Sequence, residues 1–125
     1  MSESIFVYLA LALSGGCMDA YSYLFRDKVF ANAQTGNMLL FGVNIVEHNC
    51  AAALKYLWPV LAFSFGIVLS DVIRNSTKNT HVHWRQAALV VETIILFFVS
   101  GLSQDQNSIA NALISLACGI QVETF

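Results

Sequence analysis

Long apolar runs constrain the fold of this chain more than any other feature of its sequence. Five such runs occur within 125 residues, of which 57% are hydrophobic and 11% are charged. Soluble domains carry about 25% charged residues, and a chain of this size cannot bury so much apolar surface in one core. A membrane helix needs about 20 mainly apolar residues. The runs therefore predict an all-α, polytopic transmembrane helical bundle in contact with the lipid bilayer.

The five runs define the membrane segments of a single predicted membrane domain. These segments are residues 5–25, 30–46, 51–73, 86–103 and 108–125. Segment 30–46 is short and begins with polar residues, so the sequence leaves open whether it spans the bilayer or re-enters it. Four to five membrane segments are therefore expected. Because no polar loop or cap follows the last run, we expect the domain to be incomplete at its C-terminus.

The distribution of basic residues predicts an orientation in a cell inner (plasma) membrane. Loops 26–29 and 74–85 together hold five Lys or Arg residues, against Lys55 near the opposite side. Cytoplasmic loops are enriched in Lys and Arg. If segment 30–46 spans, both loops are cytoplasmic and the N-terminus lies outside, whereas a re-entrant segment places the two loops on opposite sides. The charge pattern favours the spanning alternative.

Small residues recur every four positions on two of the predicted helices. Such ridges allow helix backbones to approach closely in lipid, where apolar burial alone does not drive association. The predicted packing residues are Ala12, Gly16, Ala20, Ala62, Gly66 and Ser70. The same kind of ridge also allows a homo-oligomer.

Polar residues inside the apolar runs are the strongest functional clue. Charged groups deep in a bilayer are costly and usually face a bundle interior or a water-filled cavity. With a rise of about 1.5 Å per residue, Asp19, Thr35 and Glu92 fall at nearly the same depth in the membrane. Asp71 lies nearer the headgroups, and we expect it to pair with Arg74. The predicted solute- or ion-binding residues are Asp19, Asn32, Gln34, Thr35, Asn37 and Glu92. Alternatively, these groups only form hydrogen bonds between helices.

Patterns that indicate catalysis or metal binding are absent from the sequence. His81 and His83 stand in one polar loop without a second ligand cluster, and the three cysteines are widely spaced. No nucleophile–base constellation is present. A net charge of −2 without a basic patch argues against a nucleic-acid partner. We therefore expect no enzymatic activity, no metal, no cofactor and no nucleic-acid binding.

Two neighbouring motifs carry a family resemblance. The stretches "GGCMDAYSYLF" and "VFANAQTGNMLLFG" resemble the YoaK-like family of bacterial integral membrane proteins, domain of unknown function 1275. That family has a Gly-x-x-Asp-Ala stretch in its first helix and an Asn-x-x-Thr-Gly-Asn stretch opening its second, which correspond here to residues 16–20 and 32–37. A glutamate in its fourth helix corresponds to Glu92. The resemblance implies that this chain is the N-terminal half of a six- or seven-helix protein, and it implies no substrate.

The sequence leaves two functional hypotheses. In the first, the protein transports a small solute or an ion and is coupled to protons through Asp19 or Glu92. In the second, it is a structural or assembly membrane protein, and its polar cluster only holds helices together.

Overall fold

The computed structural model describes residues 4–79 and 81–125, which form five α-helices and contain no strand. The helices are α1 (Ile5–Phe25), α2 (Gln34–Val46), α3 (Cys50–Ser76), α4 (Trp84–Ser100) and α5 (Asn107–Thr124), and a 3₁₀ turn at Gln104–Gln106 precedes α5. The prediction of an all-helical chain is confirmed. Two of these helices, α1 and α3, are long and apolar enough to cross a membrane by length and composition. The expected four to five membrane segments are not confirmed by that measure.

Helix α5 forms the centre of the bundle. Its Ala110, Ile114 and Cys118 belong to the buried core, and α1, α3 and α4 all pack against it. Helix α2 packs on α3, and α1 makes the slightest contact with α5. The outer surface consists largely of exposed apolar side chains, with Phe97 80% and Leu39 68% accessible. So much exposed apolar surface suits a lipid environment, in which the outside of a bundle is apolar.

Three sets of contacts give the direction of each helix relative to α5. Helix α1 is antiparallel to α5, since Ser14 contacts Gln121 while Met18 contacts Cys118. Helix α4 is also antiparallel to α5, because the short connection from Gly101 to Gln106 joins their ends. Helix α3 is parallel to α5, because Gly66 lies against Gly119 and Ser70, one turn later, bonds Thr124. The first turn of α1, the end of α3 and the start of α4 therefore lie at one end of the bundle.

Small residues bring α3 and α5 into direct backbone contact. A methyl group on Gly66 would meet the Leu116 carbonyl oxygen and would lie 3.2 Å from the Cα of Gly119. One turn further along, the Ser70 and Thr124 hydroxyls are hydrogen-bonded at 3.1 Å. Gly66 and Ser70 are buried, and Ala62 is half-buried on the same helix. This contact joins two helices that are parallel in the bundle.

The small residues predicted to pack on α1 lie elsewhere. Ala12, Gly16 and Ala20 are exposed and face away from the other described helices. The buried small residue of α1 is Gly15, which is rotated by one position from the predicted ridge. The four-residue spacing alone does not say which face of a helix a neighbour covers: the small residues of α3 lie at the contact with α5, whereas those of α1 lie on an exposed face.

A sharp turn after α1 reverses the chain. Asp27 and Lys28 both adopt positive φ angles, of 70° and 60°, a conformation that costs non-glycine residues roughly 1–2 kcal/mol each. The chain then returns along α1 as an irregular segment, 29–33, before α2 begins at Gln34. Val29 and Ala31 in this segment are fully buried. The tip of the segment lies beside Asp19, seven residues and about 10 Å inward from the end of α1 at Arg26.

The two loops that flank segment 30–46 lie at the same end of the bundle, which favours the re-entrant alternative over the spanning one. Asp27, in the loop before it, forms an ion pair at 3.7 Å with Lys55, in the second turn of α3 and close to the loop after it. The unbroken helix between Lys55 and Arg74 holds loops 26–29 and 74–85 about 28 Å apart. Segment 30–46 therefore turns back within the bundle, and the two basic loops lie at opposite ends of it.

Candidate functional site

Polar side chains at the start of α2 hold the backbone of segment 29–33. The fully buried Asn37 side chain accepts a hydrogen bond from the Phe30 N–H at 3.0 Å and donates to the Phe30 carbonyl at 2.7 Å. It also donates to Gln34 Oε1 at 2.9 Å, and Gln34 in turn donates to the Ala31 carbonyl at 2.6 Å. An irregular backbone inside a membrane has no water to bond, so its groups need protein partners. Asn37 and Gln34 supply those partners.

Asp19 holds the same segment from the side of α1. Its Oδ1 accepts hydrogen bonds from the Asn32 N–H at 2.6 Å and from the Ala33 N–H at 3.3 Å. Ala33 is the N-cap of α2 and contributes no side-chain cap. The carboxylate therefore replaces the missing cap and also complements the positive end of the helix dipole. Asp19, Gln34 and Asn37 form one hydrogen-bonded unit, which we call the re-entrant clamp.

Two other predicted site residues lie at the edge of this clamp. Asn32 packs on α1, where its Nδ2 would be 2.9 Å from a methyl group placed on Gly15. Thr35 is exposed and does not point into the clamp. The structure therefore brings Asp19, Asn32, Gln34 and Asn37 together and leaves Thr35 outside.

Glu92 is the predicted site residue that the clamp does not use. It lies on the buried face of α4, is 5% exposed, and its Oε1 has no hydrogen-bond partner. Asp19 lies seven residues before Arg26, and Glu92 lies ten residues before Leu102, whose carbonyl accepts a hydrogen bond from Arg26. The two carboxylates thus lie about 10 and 15 Å from the same end of the bundle, on two different helices that pack against α5. An unpartnered carboxylate at such a position is costly and marks a candidate functional group.

Two residues of α5 that were not predicted as binding residues are also polar and buried. Asn111 and Ser115 are buried one turn apart, and the Oδ1 of Asn111 and the hydroxyl of Ser115 both lack hydrogen-bond partners. Buried polar groups in proteins are nearly always paired, with protein or with water. The i, i+4 spacing of Asn111 and Ser115 was a weak signal, because it also fits ordinary helix packing.

Arg26, which the sequence analysis assigned to a solvent-facing loop, is 2% exposed. Its guanidinium donates to the carbonyls of Leu102 at 2.9 Å and Ser103 at 2.7 Å, beyond the end of α4, and to Tyr21 Oη at 2.9 Å. Asn111 donates to the Arg26 carbonyl at 2.6 Å. Arg26 therefore fastens the turn of the re-entrant segment to the α4–α5 connection. No sequence signal separates this arginine from a loop residue.

Arg74 also has a partner different from the predicted one. Its guanidinium lies over the Trp84 ring, 5.4 Å from the centroid. Asp71, the predicted partner of Arg74, is exposed. The salt bridge found within residues 4–79 and 81–125 joins Lys55 to Asp27 instead.

A groove of about 450 Å³ separates α1 from α4 above the core. Met18 and Tyr21 line it on one side and Leu96 and Val99 on the other, with Ile114 of α5 at its base. The groove is mostly apolar and open. Leu96 stands one helical turn from Glu92 on α4, so the groove runs close to the unpartnered carboxylate.

The sequence of this chain is similar to those of known membrane proteins. The sequence profile of a family described as "Protein of unknown function (DUF1275)" matches residues 7–125. The UPF0700 transmembrane protein YoaK of Bacillus subtilis (strain 168) is 30% identical over 96 residues, which cover 74% of this chain and 42% of that protein. The chain therefore spans less than half the length of this relative. No solved structure matches the chain.

Proposed function

Since this chain belongs to the DUF1275 family of unknown function, we propose its role from its own geometry: it is part of a multi-pass membrane protein that transports a small solute or an ion. One observation carries the proposal. A half-length helix begins inside the bundle at the level of a buried carboxylate that has no hydrogen-bond partner. Interrupted helices that end near the bilayer midplane form the substrate and ion sites of many secondary transporters.

The re-entrant clamp serves as the scaffold in this proposal. Asp19, Gln34 and Asn37 direct their hydrogen bonds to the backbone of segment 29–33. They are therefore poorly placed to exchange partners with a solute on every cycle. Their task is to hold irregular backbone at membrane depth, which is tolerated only where protein or a water-filled cavity surrounds it.

Glu92 is the group proposed to handle the coupling ion. It combines burial with an open acceptor oxygen, and the groove between α1 and α4 runs one turn away from it. A proton or a monovalent cation would neutralise the carboxylate, and its release would restore the charge. The sequence hypothesis named Asp19 and Glu92 as equal candidates, and the hydrogen bonds of Asp19 now favour Glu92.

A second candidate function is structural. Most of the polar groups that first suggested a binding pocket form hydrogen bonds within the clamp. Arg26 is hydrogen-bonded both to the α4–α5 connection and to Asn111 of α5, and so joins three parts of the chain. These contacts are also what an assembly protein would need to hold its helices in place. In that case Glu92 would only fill a site closed by further helices.

We also propose that the protein lies in the plasma membrane with the 74–85 end of the bundle in the cytoplasm. Arg74 and Lys78 at that end are exposed, whereas at the other end Arg26 is buried and Lys28 is exposed. Exposed Lys and Arg residues near membrane helices favour the cytoplasmic side. The first turn of α1 lies at the same end, so this orientation replaces the external N-terminus expected from the sequence.

The substitution Glu92→Gln tests the transport proposal. A thermal-shift screen of the purified protein against Na⁺, K⁺ and common metabolites first identifies a stabilising solute, and uptake of that solute is then measured in proteoliposomes with and without a pH gradient. We expect Glu92→Gln to lower gradient-driven uptake at least about tenfold, because the amide cannot take up the proton or cation. Its melting temperature should stay close to that of the parent.

Glu123→Gln is the matched control, since Glu123 is exposed at the far end of α5. It should leave uptake unchanged. If Glu92→Gln instead unfolds the protein or leaves uptake unaltered, the structural role is favoured over transport.

A further inference from the structure

A basic pocket lies at the end of the bundle opposite the re-entrant turn. It has a volume of about 360 Å³ and lies between the end of α3 and the start of α4. Arg74, Lys78, His83 and Trp84 are among the residues that line it. Neither the candidate site nor the proposed transport uses any of these residues.

Positive charge is concentrated at this pocket although the chain as a whole is acidic. Residues 74–85 contain three Lys or Arg and no Asp or Glu, whereas the whole chain has a net charge of −2. Arg74 and Lys78 are both exposed, so their charged groups remain available to a ligand. Asp71, also exposed, is the nearest acidic residue along α3 and lies outside the pocket lining. The pocket therefore suits an anion.

Stacking on an aromatic ring orients one of these cations. The Arg74 guanidinium lies 5.4 Å from the centroid of the Trp84 ring. Such stacking holds the guanidinium plane while leaving its edge N–H groups free to donate, and those groups match phosphate oxygens in pairs. The nearby Lys78 adds a second, more flexible donor.

The pocket lies where the apolar surface of the bundle ends. Val72, about one turn before α3 ends at Ser76, is 53% exposed, and Val82 in the pocket wall is 52% exposed. Tryptophan is enriched at the level of lipid headgroups. A ligand in this pocket thus meets cationic groups on one side and an apolar, lipid-facing surface on the other. A free anion would use the first feature but not the second.

We propose that this pocket binds the phosphate of an anionic phospholipid headgroup, with Arg74 and Lys78 as its donors. Basic pockets between membrane helices are known to take such headgroups. The lipid would fasten the exposed connection between α3 and α4 to one leaflet. This inference requires that the chain lies in a membrane, but it does not depend on transport or on Glu92.

Trp84 fluorescence tests the proposal, with Trp58→Phe as the background so that Trp84 is the remaining tryptophan. The full chain in neutral detergent is titrated with short-chain phosphatidylglycerol, and separately with phosphatidylcholine of the same chain length. We expect a saturable change in emission with phosphatidylglycerol and none with phosphatidylcholine. Arg74→Gln and Lys78→Gln should each weaken the apparent affinity about fivefold, as is typical for one basic residue at a membrane surface.

Lys28→Gln is the matched control, because it removes one exposed lysine at the opposite end of the bundle. It should leave the titration unchanged, and circular dichroism checks that each variant keeps its helices. If Lys28→Gln weakens binding as much as Arg74→Gln, diffuse charge rather than this pocket attracts the lipid. If inorganic phosphate gives the same change as phosphatidylglycerol, the ligand is a free anion. Either result, or the absence of any lipid-dependent change, overturns the proposal.

Discussion

Asn37 shows how one side chain stabilises a turn inside the bundle. It is fully buried, and it makes hydrogen bonds to both backbone groups of Phe30, seven residues earlier in the chain. Those groups belong to a segment without regular helical hydrogen bonds, so a single amide takes the place of a missing backbone partner. Leaving such groups unpaired in an apolar interior costs about 1–3 kcal/mol each.

Asn37→Leu should therefore destabilise the protein by about 2–4 kcal/mol, since leucine fills a similar volume but pairs neither Phe30 group. Reversible unfolding in detergent, followed by circular dichroism against denaturant, measures the change. Asn44→Leu is the control, because the Asn44 amide bonds the Leu40 carbonyl within α2, where the helix ladder already satisfies that group. Equal losses of stability in the two variants would show that the hydrogen bonds to Phe30 contribute no more than a side-chain bond within a regular helix.

The contact between α3 and α5 depends on the absence of side chains at one crossing. Gly66 and Gly119 face each other there, and the backbones pack so closely that neither position has room for a methyl group. The contact places α5 at the centre of the bundle and so sets the position of Cys118, whose thiol contacts Met18, the neighbour of Asp19 in the chain. Packing of two elements thereby determines the level of the candidate site.

Gly66→Ala should destabilise the bundle by about 1–3 kcal/mol, because the added methyl group forces the two helices apart. The same substitution at Gly42, where a methyl group meets nothing within 4 Å, is expected to be neutral or slightly stabilising. Melting temperatures of the two variants in detergent provide the comparison. A neutral Gly66→Ala would mean that α3 and α5 do not approach as closely as described.

The two ends of the bundle carry different loops. Loops 26–29 and 47–49 and the α4–α5 connection lie at one end, held together by Arg26 and by the Lys55–Asp27 ion pair. The first turn of α1, the end of α3 and the start of α4 lie at the other end. We expect these ends to face opposite sides of a membrane, since α3 is a single helix of 27 residues, about 40 Å long.

Cysteine labelling tests this arrangement in a background in which Cys17, Cys50 and Cys118 are replaced by alanine. Lys28→Cys and Asp105→Cys should react with a membrane-impermeant maleimide from the same side, and Lys78→Cys from the opposite side. Intact and permeabilised cells distinguish the two sides, and the cysteine-free background gives the baseline. Labelling of positions 28 and 78 from one side would restore a spanning segment 30–46.

Much of the fold was predictable because it depends on local properties of the sequence. Helix α1 occupies the predicted residues 5–25, and α3 and α4 deviate by a few residues at their ends. The length and hydrophobicity of each run determine such helices with little help from distant residues. The candidate site residues were predictable as a group, since polar residues in apolar runs are rare, but their separate roles were not.

By itself, the sequence determined an all-helical bundle suited to lipid, the approximate limits of its helices and the family to which it belongs. The tertiary structure decided that segment 30–46 turns back, that Asp19 holds a backbone turn while Glu92 stays unpartnered, and that Arg26 is a buried anchor. The physical reason is the sequence separation of the groups involved. Asp19 meets a backbone N–H 13 residues away, and Arg26 meets the Ser103 carbonyl 77 residues away. Runs and periodicities report what neighbouring residues share, whereas these hydrogen bonds exist only after distant parts of the chain have packed together.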